Sequence, residues 1–175
     1  MELSILHLLQ QIHTPWLDSL IVFITRLGDE GIFWIALAVI MLFFKKTRRC
    51  GIFVLLSMGI CLVVGNWGLK NIIGRPRPFV TDPSVVLKIP APGEFGSFPS
   101  GHTMHGFTAA TVIFLHFKKP GIAALLLASL IAFSRMYLFV HYPTDIIGGI
   151  LVGVCVAVFV VKVIGSKFPS KEKIL

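Results

Sequence analysis

Residues Gly121 to Val140 read GIAALLLASLIAFSRMYLFV, twenty positions that carry a single charge, Arg135. At about 1.5 Å of rise per residue, a helix of this length covers the ~30 Å hydrocarbon core of a bilayer. Four further apolar stretches flank it: Gly31 to Phe44, Gly51 to Leu69, Thr103 to Phe117 and Ile146 to Ile164. Several fall short of a full span, but most can extend by a turn into their flanks, so five spanning helices are predicted. The composition agrees, with 55% of 175 residues hydrophobic, 14% charged, and a mean hydropathy of +0.88. An ordinary soluble domain does not tolerate such values, so lipid is the solvent. A chain this short makes one domain over residues 1–175 and leaves no room for a separate soluble module.

Towards the N-terminus, Leu3, Leu6, Leu9 and Ile12 recur near helical spacing with polar residues between them. That pattern suits a short helix lying in the membrane interface, which Pro15 then ends. The next segment, Trp16 to Leu27, covers only about 18 Å as a helix and is a weaker candidate for a span. Residues 1–28 therefore read as an interfacial or re-entrant segment. Met1 to Gln11 has neither a basic n-region nor a small-residue cleavage site, so it does not read as a removable signal peptide. The fold class expected is all-α: an integral membrane bundle of five to six transmembrane helices with an N-terminal interfacial helix.

Basic loops stay on the cytoplasmic side of a membrane. Lys45, Lys46, Arg48 and Arg49 fill one connection, Lys118 and Lys119 another, and Lys167, Lys171 and Lys173 the tail. Five spans place these regions on one face. The other face, predicted to be external at the plasma membrane, carries the first 30 residues, the connection 70–101 and the turn around His141. Because the net charge of +8 sits between apolar segments, it is read as orienting the chain, and no nucleic-acid partner is expected. Cys50, Cys61 and Cys155 show no metal-ligand or CxxC spacing and read as packing residues.

Arg26, Lys70, Arg75, Arg77, Lys88 and Arg135 break the charge rule by falling on the external face. Ionisable groups at a membrane edge are costly and point to function. Four of the six lie in two of three motif clusters on that face: Lys70 to Pro78 (KNIIGRPRP) and Ser134 to Asp145 (SRMYLFVHYPTD), the third being Pro99 to His102 (PSGH). A phosphoryl-transfer site needs fixed cations around the equatorial oxygens, a nucleophile and an acid for the leaving oxygen. Lys70, Arg77 and Arg135 supply the charge, and Arg matches phosphate oxygens in pairs. Ser100 and Gly101 precede an apolar helix whose first N–H groups can face an anion. His102 and His141 offer imidazoles that work near neutral pH. If Pro143 opens a helix, Asp145 falls in its first turn, within reach of the His141 ring, where it would fix the tautomer.

The ordered pattern K-x6-RP, PSGH, SR-x5-H-x3-D resembles the type 2 phosphatidic acid phosphatase (PAP2) superfamily, membrane branch, a group that also includes soluble vanadium haloperoxidases and acid phosphatases. The resemblance covers Lys70 to Asp145. It implies Lys70, Arg77, Ser100, Gly101 and Arg135 as the phosphate-binding set, His141 as the nucleophile that becomes a phosphohistidine, His102 as the general acid and Asp145 as the orienting carboxylate. It implies no cofactor and no metal. The expected partners are membrane lipids and a lipid phosphate or diphosphate substrate, with undecaprenyl diphosphate, a carrier of cell-wall precursors, as the best single choice. Phosphatidylglycerophosphate, phosphatidic acid and lipid A phosphates are alternatives, as is transfer of the phosphate to an acceptor other than water. A non-catalytic headgroup binder is the alternative from another class, although a binder needs neither two histidines nor an orienting Asp. Nothing in the sequence sets an oligomeric state.

The remaining polar residues carry plainer expectations. His7, His13, His105 and His116 read as surface or packing residues, with His105 one turn beyond His102 and able to face the same cavity. Asp29 and Glu30 read as helix-start residues, and Arg26, Arg75 and Lys88 as interfacial anchors, Arg75 being near enough to Arg77 to supplement the site. Gly148, Gly149 and Gly153 read as small residues for close helix packing. Phe79, Phe95 and Phe98 either line a lipid tail or mark the interface.

Overall fold

Prolines and left-handed glycines set several of the element boundaries. In the computed structural model, which describes residues 1–167, α1 (Glu2–Gln10) ends in a turn at Gln11 and Ile12. Pro15 then occupies the first turn of α2 (Pro15–Arg26), where its missing N–H costs nothing. A tight turn over Asp29–Gly31, with Glu30 and Gly31 at positive φ, leads into α3 (Ile32–Leu42). Helix α4 (Lys45–Cys61) widens into a π-helical stretch over Leu62–Leu69 and tightens again as α5 (Lys70–Ile73). Gly74, at φ 56, ends it in the left-handed conformation that L side chains resist. The chain then runs through α6 (Pro78–Thr81) and a long connection to α7 (Gly101–His116). Helices α8 (Lys118–Tyr137) and α9 (Pro143–Val158) follow, the latter continuing as a π-helical stretch to Ile164.

No strand occurs among the described residues. The helix that starts at Lys45, the helix Lys118–Tyr137 and the stretch Pro143–Lys167 are each long and apolar enough to cross a membrane. Helix α7 has 16 residues and α3 has 11, so by length and composition alone three of the expected five to six spans are met. Ile40, Leu126, Leu151 and Phe159 are among the large apolar side chains left on the outer surface, as lipid contact requires. The basic tail residues Lys171 and Lys173 lie outside the described residues.

Helix α7 is the central element and packs against α8, α9 and α4. Lipid tails are as apolar as leucine, so helices in a membrane are held by close packing rather than by exclusion of water. Buried Thr103, Met104 and Thr108 of α7 meet Gly149 and Gly153 of α9, while Gly106 of α7 takes Ala128 of α8 against its backbone. A β-carbon at Gly153 would fall 2.6 Å from the Met104 carbonyl oxygen, and one at Gly149 would fall 2.9 Å from that of Ser100. Gly148 takes the Phe98 ring against its backbone, so Phe98 is a packing residue and does not line a tail site. Around the α8–α9 turn, Leu6 of α1 packs with Phe139 and Tyr142, and Ile21 of α2 with Tyr137, Leu138 and Val140. The two N-terminal helices thereby brace the turn that carries His141.

Candidate active site

The turn between α8 and α9 reverses the chain in five residues, with Phe139 at φ 59 and the Val140 N–H bonded back to the Arg135 carbonyl. It leaves His141 buried, at 2% exposure. Pro143 opens α9 as expected, which sets Asp145 in the first turn, fully buried. The Asp145 Oδ2 atom accepts from the Tyr142 N–H at 2.8 Å and from Ser97 Oγ at 2.5 Å, and its Oδ1 accepts from Arg75 Nη1 at 2.6 Å.

The ring of His141 has a defined polarity. Arg77 Nη1 lies 3.0 Å from Nε2 and, because guanidinium has no acceptor, it donates to that nitrogen. The proton therefore sits on Nδ1, which faces Asp145 Oδ2 at 3.5 Å. That distance exceeds a formed hydrogen bond, and Nδ1 has no closer partner. Burial and the charges of Arg77 and Arg135 consequently outweigh the carboxylate, and the imidazole is pushed down to about 3. It is a neutral ring with its lone pair on Nε2.

That lone pair opens on a cavity of about 460 Å³. Lys70, Arg77, Gly101, His102, Arg135 and His141 all line it. Arg77 also donates to the Val140 carbonyl, and Arg135 Nη1 to Thr25 Oγ1 at 2.6 Å, so both guanidinium groups are held from behind. Their Nε atoms are buried without partners, as donors waiting for an anion would be. At Gly101 a β-carbon would sit 3.4 Å from Lys70 Nζ and 3.5 Å from Asn66 Oδ1, so the start of α7 lies directly against both polar groups. Ser100 stands differently from the expectation. Its side chain is fully buried and accepts from Thr103, and its amide is committed to the Asp145 carbonyl at 3.1 Å. Ser100 thus ties the start of α7 to the start of α9, and the N–H groups from Gly101 onward are the ones left for an anion.

Several contributors lie outside the site residues assigned from the sequence, although the sequence puts Arg75 and His105 near enough to reach it. His102 Nε2 lies 2.9 Å from Asp29 Oδ1, a residue read only as a helix start. Arg75, read as an anchor, grips Asp145, donates to Thr144 Oγ1 at 2.7 Å and to Glu2 Oε2 at 2.6 Å, and stacks over the Tyr142 ring. His105 and Asn66 line the cavity, each with a buried ring nitrogen or amide oxygen that lacks a partner. Of the other histidines, His7 pairs with Asp82 and His13 with Asp18, while His116 bonds within α7. Lys88 pairs with Asp18 rather than facing the site. Beyond the polar end, Ile35, Leu55, Met58 and Leu62 from α3 and the α4 stretch make an apolar slot. Among the described residues no group of three or more His, Cys, Asp or Glu side chains is placed to hold a metal ion.

A model of the PAP2 superfamily matches residues 50–169. An undecaprenyl-diphosphatase of Sulfolobus acidocaldarius is 36% identical over 139 residues, which cover 78% of this chain and 66% of that protein, just under two thirds of its length. Among solved structures, Aquifex aeolicus LpxE superposes with a TM-score of 0.81 at 28% identity, covering 92% of this chain and 94% of that one. A transmembrane PAP2-type phosphatidylglycerolphosphate phosphatase from Bacillus subtilis gives 0.78 at 30% identity, covering 98% and 87%.

Proposed function

Because the chain belongs to the PAP2 superfamily, we propose that it is a membrane phosphatase that removes phosphate from a lipid phosphate or diphosphate through a phosphohistidine on His141. The observation that carries this reading is the neutral His141 ring, its Nε2 lone pair directed into a cavity ringed by Lys70, Arg77 and Arg135. A terminal phosphoryl group entering there replaces the imidazole as the partner of Arg77. Its oxygens take the unpartnered Nε donors of Arg77 and Arg135, the Lys70 ammonium and the N–H groups at the start of α7. Nε2 attacks phosphorus, the bond to the leaving oxygen breaks, and His102 gives that oxygen a proton. As positive charge develops on His141, the Nδ1 proton draws toward Asp145, the same orienting role a carboxylate plays in hydrolase triads. Water then attacks the phosphohistidine, His102 takes its proton, and inorganic phosphate and free His141 are released. Fixed cations supply the charge stabilisation, and no divalent ion enters the scheme.

The apolar slot beyond the polar end gives a lipid chain somewhere to lie while its phosphate reaches His141. Undecaprenyl diphosphate is the substrate best supported, since an undecaprenyl-diphosphatase is among the relatives. Residues 1–175 act as one unit, with residues 1–28 bracing the site at the membrane edge and the connection 70–101 closing it on the external face. The test is a purified protein given labelled lipid diphosphate with a chelator present and quenched in base, which preserves phosphohistidine. The parent should carry label on one histidine and His141→Ala none. Hydrolysis by His141→Ala at the parent rate would rule out the covalent route. Phosphatidylglycerophosphate, phosphatidic acid and lipid A phosphates, assayed alongside, rank the headgroups.

A further inference from the structure

Three features of the turn between α2 and α3 converge on His102. Gly28 packs so closely that a β-carbon there would fall 2.6 Å from the His102 Cδ2 atom, leaving glycine alone able to fill the position without a shift. Glu30 and Gly31 hold positive φ, a backbone conformation that side chains other than glycine rarely adopt and that persists where its surroundings demand it. Between them Asp29 places Oδ1 2.9 Å from His102 Nε2. The edge of the ring made by Cδ2 and Nε2 is thus covered by this turn. The hydrogen bond of this ring among the described residues is the one at Nε2, and His102 lines the cavity, which leaves Nδ1, on the other edge, without a protein partner.

We infer that Asp29 is a positioning residue for the general acid: its carboxylate holds the Nε2–H of His102 and leaves Nδ1–H as the proton given to the leaving oxygen. The inference rests on the role proposed for His102. A histidine that serves first as acid and then as base must keep one nitrogen fixed while the other exchanges its proton. With Asp29 on Nε2, the protonated ring carries hydrogens on both nitrogens, Nδ1–H passes to the leaving oxygen, and the neutral ring that remains can accept a proton from attacking water at Nδ1. Charge matters as much as direction. His102 shares the cavity with Lys70 on α5, Arg77 before α6, Arg135 on α8, His105 on its own helix and His141, and the cations oppose a further positive charge. The Asp29 carboxylate is the negative group bonded to the ring, with Glu30 of the same turn also at the cavity wall. The site then holds two His–carboxylate pairs: His141 with Asp145 for attack, and His102 with Asp29 for departure.

The experiment compares the full chain in detergent with Asp29→Asn, Asp29→Glu, His102→Ala and the double variant Asp29→Asn/His102→Ala. Phosphatidic acid serves as a substrate with a poor leaving group and 4-nitrophenyl phosphate as one with a good leaving group. Asp29→Asn should lower kcat on the poor leaving group by about 10- to 100-fold, a part of the ~10²–10⁴ that general acid catalysis contributes, and much less on the good one. Its KM should stay near that of the parent, the alkaline limb of kcat should move to lower pH, and Asp29→Glu should recover part of the loss. In the His102→Ala background the second substitution should cost nothing further. Equal losses on both substrates, or an undiminished loss on top of His102→Ala, would overturn the inference. If His102→Ala itself shows no dependence on the leaving group, the general-acid role fails instead, and the two failures are told apart.

Discussion

Asp145 is a carboxylate with no exposure to water, and a buried charge is tolerated only when it is paired and hydrogen-bonded. Arg75 supplies the pairing, and Ser97 and the Tyr142 N–H supply the bonds. Replacing Arg75 by Met keeps much of the stacking on Tyr142 and removes the charge, leaving Asp145 unbalanced. Its kcat should fall by about 10- to 100-fold, the scale of a misplaced reacting group, with a smaller change in KM, because the proposed substrate phosphate is held by other cations. Steady-state kinetics on one lipid substrate decides it, and an unchanged kcat would show that Ser97 and Tyr142 orient the carboxylate unaided. A second expectation follows from His141. Attack needs the unprotonated ring, and the folded value of about 3 lies below the ordinary imidazole value of 6.5. As pH falls, this ring therefore stays competent well past the point where a free histidine would be protonated. His141 should impose no acid limb on kcat/KM above about pH 5. A limb near pH 6.5 that persists across substrates of different phosphate ionisation would contradict it.

At the scale of elements, α7 and α9 approach so closely that glycine is required at their crossing. Gly153→Val puts side-chain atoms against the Met104 carbonyl and Thr108, and overpacking of this kind costs about 1–3 kcal/mol. Thermal unfolding in detergent should show a lower midpoint. Gly59, on the α4 stretch, is the contrast, since a β-carbon there meets nothing within 4 Å and the residue lines the cavity. Gly59→Phe should leave the midpoint near that of the parent while reducing turnover of long-chain lipid phosphates more than that of 4-nitrophenyl phosphate. Equal effects on both would mean that the apolar slot does not receive the chain. The helical periods that made these elements readable also explain what was missed in them. The widened turn at Leu62–Leu69, which sets where Asn66 and Lys70 point, leaves hydropathy unchanged and so has no signature in an apolar run.

For the whole molecule, the charge pattern of the connections predicts that the site opens outside the cell. Val86, 82% exposed in the connection before α7, and Lys46, exposed at the start of α4, lie in connections assigned to opposite faces. With Cys155, the exposed native cysteine, replaced by Ala, Val86→Cys should react with a membrane-impermeant thiol reagent on intact cells. Lys46→Cys should react only after permeabilisation, and the reverse pattern would invert the assignment.

The sequence by itself determined the solvent, the helical class and the residue types of the proposed phosphate site. Each of these rests on something local: runs of apolar residues, loop charge, and short motifs within the stretch Lys70 to Asp145. It also foretold that Pro143 would place Asp145 beside His141, because one helical turn fixes that relation. Only the tertiary structure decided that Arg75 grips Asp145, that Glu2 at the start of α1 holds Arg75, that the Ser100 amide is spent on Asp145, and that Asp29 meets His102. These partners lie about 45 to 73 positions apart along the chain. Contacts between side chains on different helices depend on how the helices cross and rotate, and that geometry is set by packing at glycines and not by any period in the sequence.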